Sequence, residues 1–339
     1  MERKKIRRIL PLFLAFWSLG SVYAAAAELV PVGEAVGIVL DVKGVYVEEL
    51  QAFEGEKGRV SPAEKAGILP GDLLVKAAGR ELSDAGDLAE AVRDRAGEAI
   101  PAEILRTGRR MILSVTPEKD AGTGKERLGI LARETQSGIG TVTWYDPVSG
   151  VYGALGHGIH AARSDPGSLD RGELYKVTLT GLEKGAPGKA GELKGSLVGE
   201  PVGSAEANTP FGVYGVAPGV FSGETAKTLS RAEIRKGKAE ILATLENGKT
   251  GRYEIEILGV ESAGDPGRAI SFRVTDPELL EKTGGVIRGM SGSPILQDGK
   301  LAGGVTHVLI SDPKTGYGIP VDAMIAEAER LLSPLGKAA

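Results

Sequence analysis

Ser291 is the residue whose surroundings are best suited to nucleophilic chemistry. It lies in "RGMSGSPIL", where glycines on both sides permit a tight turn and a close approach of backbone N–H groups to a developing oxyanion. Gly289 and Ser291 would supply those two N–H groups, with Met290 between them. The same pattern also describes a plain glycine turn that opens a hairpin. Ser293 directly precedes Pro294 and reads as a turn residue. An imidazole base must come from three histidines, His157, His160 and His307. In "YGALGHGIH" the small neighbours leave the His157 ring sterically free, whereas His307 alternates with apolar residues in "GGVTHVLI" and reads as a core or pocket-wall residue. The i, i+3 spacing of His157 and His160 falls in a glycine loop with no carboxylate patterned beside it, so neither a metal site nor a cofactor is expected.

The elements that must position these residues are mostly strands. The runs "GTVTWYDP", "YKVTLTGL", "KAEILATLENGKTGRYEIEILGV" and "AISFRVTD" read as short strands, the third folded at an Asn-Gly turn. After Ser291, "SPIL" and "LAGGVTHVLI" form a hairpin closed by Asp298 and Gly299. "TDPELLEKTGG" is a helix start, with Thr275 or Asp276 as cap, Pro277 at the first position and Gly284 near the end. A last amphipathic helix over about 320–333 places Val321, Met324, Ile325, Ala328, Leu331 and Leu332 on one side. Hairpins with a terminal helix predict a β-barrel domain or a pair of barrels.

An earlier region has a different character. "VGIVLDV" and "GVYVEEL" are β-branched runs, "SPAEKAG" is a short helix capped by Ser61 and ended by Gly67, and "SDAGDLAEAVRDRAG" is a second helix with Leu88, Ala91 and Val92 on one face. "PEKDAGTGKER" has no apolar period and reads as a linker.

Composition narrows the function. The chain opens with Lys4, Lys5, Arg7 and Arg8 ahead of an apolar run and an alanine cluster, which predicts a secretory signal or an uncleaved anchor over residues 1–27 and export of the rest. Removing residues 1–26 leaves 36 Lys+Arg against 44 Asp+Glu, a net charge of −8, which argues against nucleic acid as a partner. Zero cysteines exclude disulfides, thiolate zinc sites and cysteine proteases.

Longer blocks carry a family resemblance. "GALGHGI", "ANTPFGVYG" and "TDPELLEKTGGVIRGMSGSPILQDGKLAGGVTHVLISDPKTGYGI" resemble the signature blocks of the sporulation stage IV protein B peptidases, and "SPAEKAGILPGDLLVKAAGREL" resembles a PDZ domain of the bacterial protease type. The resemblance implies a mainly β chain, with a PDZ domain (an α/β sandwich) at 28–118, a linker at 119–127 and a chymotrypsin-like barrel peptidase at 128–339. It implies Ser291 as nucleophile, His157 as base and Asp276 as the acid that orients it; apart from the resemblance, Asp146 of "WYDP" is a reserve candidate for that acid. Met290 stands where chymotrypsin-like serine loops carry aspartate, which removes the partner a trypsin-style activation would use. For the PDZ domain it implies a peptide site at Gly37, Ile38 and Val39, with Leu88 on the groove helix; the alternative is that Gly37 only permits a turn and Leu88 is core. The implied biology is an exported, membrane-associated endopeptidase of sporulation signalling. It cleaves the extracytoplasmic part of a membrane-bound regulator, so releasing an intramembrane protease that activates a late sigma factor, and cleaves itself near "ELVPVGEAVG". The rival reading is a PDZ scaffold that binds membrane-protein partners without cleaving them.

Overall fold

Alternating β-branched and small residues produce a chain dominated by antiparallel strands, with glycine supplying the turns. The computed structural model describes residues 28–106, 109–159, 172–262 and 264–332; the export segment and His160 lie outside them. β1 (Ala35–Leu50) leads to α1 (Pro62–Lys65), β2 (Leu73–Ala77), α2 (Ala85–Val92), β3 (Ile100–Arg106) and β4 (Arg109–Val115). β5 (Ile130–Tyr145), β6 (Val151–Ala154), β7 (Gly172–Glu183), β8 (Glu192–Thr209) and β9 (Gly212–Val216) follow. The remainder holds β10 (Gly237–Glu246), β11 (Lys249–Val260), β12 (Ile270–Val274), α3 (Pro277–Thr283), β13 (Pro294–Gln297), β14 (Lys300–Val308), β15 (Thr315–Pro320) and α4 (Val321–Leu332).

These strands close two barrels. In the first, β1 pairs with β5, β5 with β6, β6 with β9, β9 with β8, β8 with β7, and β7 returns to β1. Ile38, Leu40, Val142, Tyr152 and Leu174 fill it. The second barrel runs β10, β11, β12, β15, β14, β13 and closes on itself around Ile241, Ile255, Phe272 and Ile295. Its hairpin turns are those the sequence predicts. Gly248 has φ +68°, and Asp298 and Gly299 both take positive φ, at 51° and 74°. Asn247 also clamps the barrels together, donating to the Leu179 carbonyl and accepting from the Leu179 N–H. α4 covers Trp144, Tyr214 and Leu301 with Val321, Met324, Ala328 and Leu332.

The PDZ domain is an insertion within the first barrel. The two β-branched runs expected to open it are one strand, β1, whose first half is a barrel stave and whose second half pairs with β2 in the PDZ sheet. β2, β3 and β4 continue that sheet, and α1 and α2 cover it, burying Ala63, Leu88, Ala91 and Val92. Asp84 caps α2 by accepting from the Asp87 N–H, while the Ser61 hydroxyl makes no cap bond to α1. In the PDZ turn Asp72, fully buried, accepts from the Leu69 N–H and from Arg106. The segment expected as a linker is partly a hairpin in which Glu118–Lys119 pairs with Glu126–Arg127. The Thr123 N–H, followed by Arg127, holds the Asp120 carboxyl in that hairpin below the usual carboxylate range. The chain then re-enters the barrel as β5.

The stretch "ELVPVGEAVG" is not an accessible tail. Glu28–Pro31 is a strand paired with Trp144 and Tyr145 on one side and with Ala226 and Lys227 on the other, and Val30 and Val36 are buried. Cleavage within it requires a strand to be withdrawn first.

Candidate active site

Ser291 and His157 come from different barrels and line one cleft of about 730 Å³. Ser291 sits in the turn that precedes β13, and the positive φ of Gly289 (94°) and Gly292 (93°) shapes that turn. Thr141 of β5 holds it from both sides. Its hydroxyl donates to the Gly289 carbonyl at 2.8 Å, and its N–H donates to the Ser291 carbonyl at 2.8 Å. The contact is so close that a Cβ at position 292 would lie 1.9 Å from the Thr141 oxygen. Gly292→Ala is therefore expected to cost about 3 kcal/mol or more from backbone overlap and left-handed strain. Urea unfolding of the variant beside the parent measures it.

The peptide planes of this turn orient the two N–H groups expected to serve as oxyanion donors. The Arg288 carbonyl accepts from the Leu193 N–H, and the Met290 carbonyl accepts from the Ser293 N–H. In planar trans peptides the N–H points opposite to the C=O, so the Gly289 and Ser291 N–H groups face away from those partners. Among the described residues neither N–H donates to a backbone carbonyl outside the strands. They remain available to a developing negative charge. The Ser291 hydroxyl donates to the Thr306 carbonyl at 3.1 Å in this structure and must turn toward His157 to react.

His157 follows β6 in the loop Leu155–Ile159, where Leu155 and Gly156 have positive φ. Its Nδ1 lies 2.9 Å from the Gly158 carbonyl, an acceptor only, so the proton sits on Nδ1 and Nε2 keeps the basic lone pair. Asn208 anchors this loop by accepting from the Ile159 N–H at 2.9 Å and donating to its carbonyl at 3.3 Å. His307 stands on the cleft wall, its ring centroid 5.4 Å from that of His157. Among the described residues no group of three His, Cys, Asp or Glu side chains could hold a metal ion.

The two candidate carboxylates, Asp276 and Asp146, are not among the described residues that line this cleft. Asp276 caps α3, accepting from the Leu279 N–H at 2.9 Å and from the Glu254 N–H at 3.2 Å. It follows the far end of β12, whose near end leads back to Gly267, the carbonyl against which the Thr306 hydroxyl rests. Asp276 thus serves as the cap of α3, the alternative its sequence context also allowed, and is not among the described residues that line the cleft. Asp146 is a turn residue that accepts from Val148 and Ser149. Asp276→Ala is accordingly expected to lower stability by about 1–2 kcal/mol, as loss of a helix cap does, and to change kcat/KM by less than about threefold. Denaturant titration and peptide hydrolysis measured side by side check this, because loss of an orienting acid would cost about 10⁴-fold.

The expected PDZ peptide residues also require correction. Gly37, Ile38 and Val39 are paired on both edges, with Ile139, Gly138 and Ser137 of β5 and with Tyr175, Leu174 and Glu173 of β7. No backbone edge is left there for a ligand. Leu88 is 8% exposed and belongs to the PDZ core. A second glycine turn, Leu128–Gly129–Ile130, lies at the PDZ end of β5 with Gly129 at φ +75°. The letters "RLGIL" carry it, but their position after the hairpin made them look like the start of the next domain.

Ser291 of one antiparallel six-stranded barrel and His157 of another thus line the same cleft, in a chain that also carries a PDZ domain. The chain belongs to the SpoIVB peptidase S55 family, whose model matches residues 124–325, and a PDZ model matches residues 59–106. It is 37% identical over 79 residues, 23% of this chain and 16% of the relative, to "Serine protease Do-like HtrB" of Bacillus subtilis. It is 32% identical over 161 residues, 44% of this chain and 43% of the relative, to mll0638 of Mesorhizobium japonicum, whose name assigns it provisionally to the zinc metalloproteases. The chain spans 16% to 54% of the length of such curated relatives. A crystal structure of Rv3671c from M. tuberculosis H37Rv, a Ser343Ala mutant in an inactive form, aligns over 58% of this chain and 82% of its own at 16% identity, with a TM-score of 0.28.

Proposed function

We propose that the chain is an exported, membrane-associated serine endopeptidase acting on protein substrates. The observation that carries this is that Ser291 and His157 line one cleft, in a serine turn whose Gly289 and Ser291 N–H groups point away from the donors that hold its carbonyls. Ser291 Oγ adds to a peptide carbonyl while His157 Nε2 takes its proton. The C–N bond then breaks, the amine leaves with that proton, and one water releases the acyl group and restores the serine. The Gly158 carbonyl on Nδ1 keeps the imidazole in the tautomer this needs.

The resemblance of the signature blocks supports a place in sporulation signalling. There the substrate is the extracytoplasmic part of a membrane-bound regulator, and its cleavage frees an intramembrane protease that activates a late sigma factor. Self-cleavage belongs to the same proposal, at a site other than the paired strand Glu28–Pro31.

The test is incubation of the full chain with denatured casein, read by mass spectrometry of the products. Internal cleavage is the expected result. A folded protein that yields no product, even with a C-terminal peptide added for the PDZ domain, supports the scaffold reading instead.

A further inference from the structure

The strand that leaves the PDZ domain is the strand that reaches the nucleophile. β5 begins at the Leu128–Gly129–Ile130 turn, beside the PDZ core that contains α2, and ends past the serine loop. From Ile130 to Thr141 it pairs with β1 along one edge only, and among the described residues β6 joins the other edge only from Val142 onward. At the far end of that second edge the Thr141 N–H holds the Ser291 carbonyl and the Thr141 carbonyl accepts from Leu155. Residues of a strand turn their N–H and C=O to alternate edges, so Ile139 and Ser137, two and four residues back, present theirs to the cleft they line.

At the PDZ end the geometry suits a carboxylate. The Leu128 and Gly129 carbonyls point into the domain, accepting from Ala63 and Gln51 at 2.8 and 2.9 Å. The N–H groups of Gly129 and Ile130 in the same two trans peptides therefore face the opposite way, as adjacent donors. A PDZ domain receives a chain end as an added strand with its carboxylate on backbone N–H groups, and here the strand next to those donors is β5. A peptide laid antiparallel on β5 with its carboxylate at Gly129 runs, from its C-terminus upstream, directly toward Ser291.

We propose that this edge, whose alternation is reset by register shifts between Leu131 and Ala132 and between Arg133 and Thr135, is a single substrate track. The turn at Leu128–Ile130 binds the free C-terminal carboxylate of a protein substrate, its last residues extend β5, and the bond presented to Ser291 is set by strand length. Gly129 and Ile139 are ten residues apart in sequence, so at ~3.3 Å per residue they lie at most about 33 Å apart, the register shifts shortening the span, and the cut falls roughly 8–12 residues from the substrate's C-terminus. The preferred substrate class is a protein with an exposed, extended C-terminal tail. This rests on the peptidase reading, and the experiment separates the two.

The probe is a synthetic 30-residue peptide pool of defined length, with a free C-terminus or a C-terminal amide, digested by the full chain and read by mass spectrometry. Reaction of the chain with a fluorophosphonate is followed in parallel. Cuts clustered about 8–12 residues from the C-terminus, and at least tenfold slower cleavage of the amides, are expected from an edge of this length. Four Gly-Ser residues inserted before the last five should move the cut by the same number of residues. The labelled decapeptide acid should also bind the Ser291→Ala protein at least tenfold more tightly than its amide, a readout that needs no catalysis. Cuts that follow local sequence and ignore both the insertion and the amide, while fluorophosphonate labelling persists, overturn the track and leave the peptidase standing. Absence of both cleavage and labelling overturns the peptidase and the track with it.

Discussion

Ser291→Ala is expected to lower kcat/KM for peptide hydrolysis by at least about 10⁴-fold while leaving the fold intact. The hydroxyl is small, and its hydrogen bond in this structure is a single one to the Thr306 carbonyl, a group on the cleft wall. Its removal takes away the attacking atom but leaves the loop geometry, which is set by Thr141, Gly289 and Gly292. Steady-state kinetics with the cleaved casein peptide, beside a thermal melt of the same preparation, measures both halves of the expectation. A variant that melts with the parent and retains a tenth of its activity would place the nucleophile elsewhere.

His157→Ala carries a comparable loss, about 10⁴-fold or more, because a serine without a base is a weak nucleophile near neutral pH. The imidazole lies on the cleft wall with Nδ1 engaged by the Gly158 carbonyl, which fixes the tautomer whose Nε2 is the basic nitrogen. His307 is near enough to raise the question of substitution, its ring centroid 5.4 Å away. It stands on β14, whereas Asn208 anchors the loop that carries His157 through both polar groups of Ile159. The double variant Ser291→Ala, His157→Ala should be no worse than either single one, since members of a catalytic unit fail together. Additive losses of the two would show that the residues act separately.

Local signals were the legible part of the sequence. Pro277 after Asp276, the Asp298-Gly299 turn and the apolar spacing of α4 each specify their element through backbone preferences that act over a few residues. The alternation that marks Gly237–Glu246 and Lys249–Val260 as a hairpin is equally local. The barrel partners of β1 were not legible. "VGIVLDV" and "GVYVEEL" look alike as strands, and nothing local says that the first pairs with β5 and β7 while the second pairs with β2. An insertion inside a barrel is a long-range pairing fact, so the PDZ boundary and its peptide residues were misplaced together. Thr141 and Asn208 went unread for the same reason. Their hydrogen bonds reach residues 289 and 159, and a threonine in a strand or an asparagine before a turn gives no hint of such partners.

The most direct test of the central claim is where a serine-directed reagent attaches. The full chain is treated with a fluorophosphonate, and the adduct is mapped by intact mass and peptide sequencing. One adduct per chain, on Ser291 and absent from both Ser291→Ala and His157→Ala, is the result predicted by a cleft that unites the two residues. A folded chain that takes up no reagent, or carries it on another serine, would contradict it.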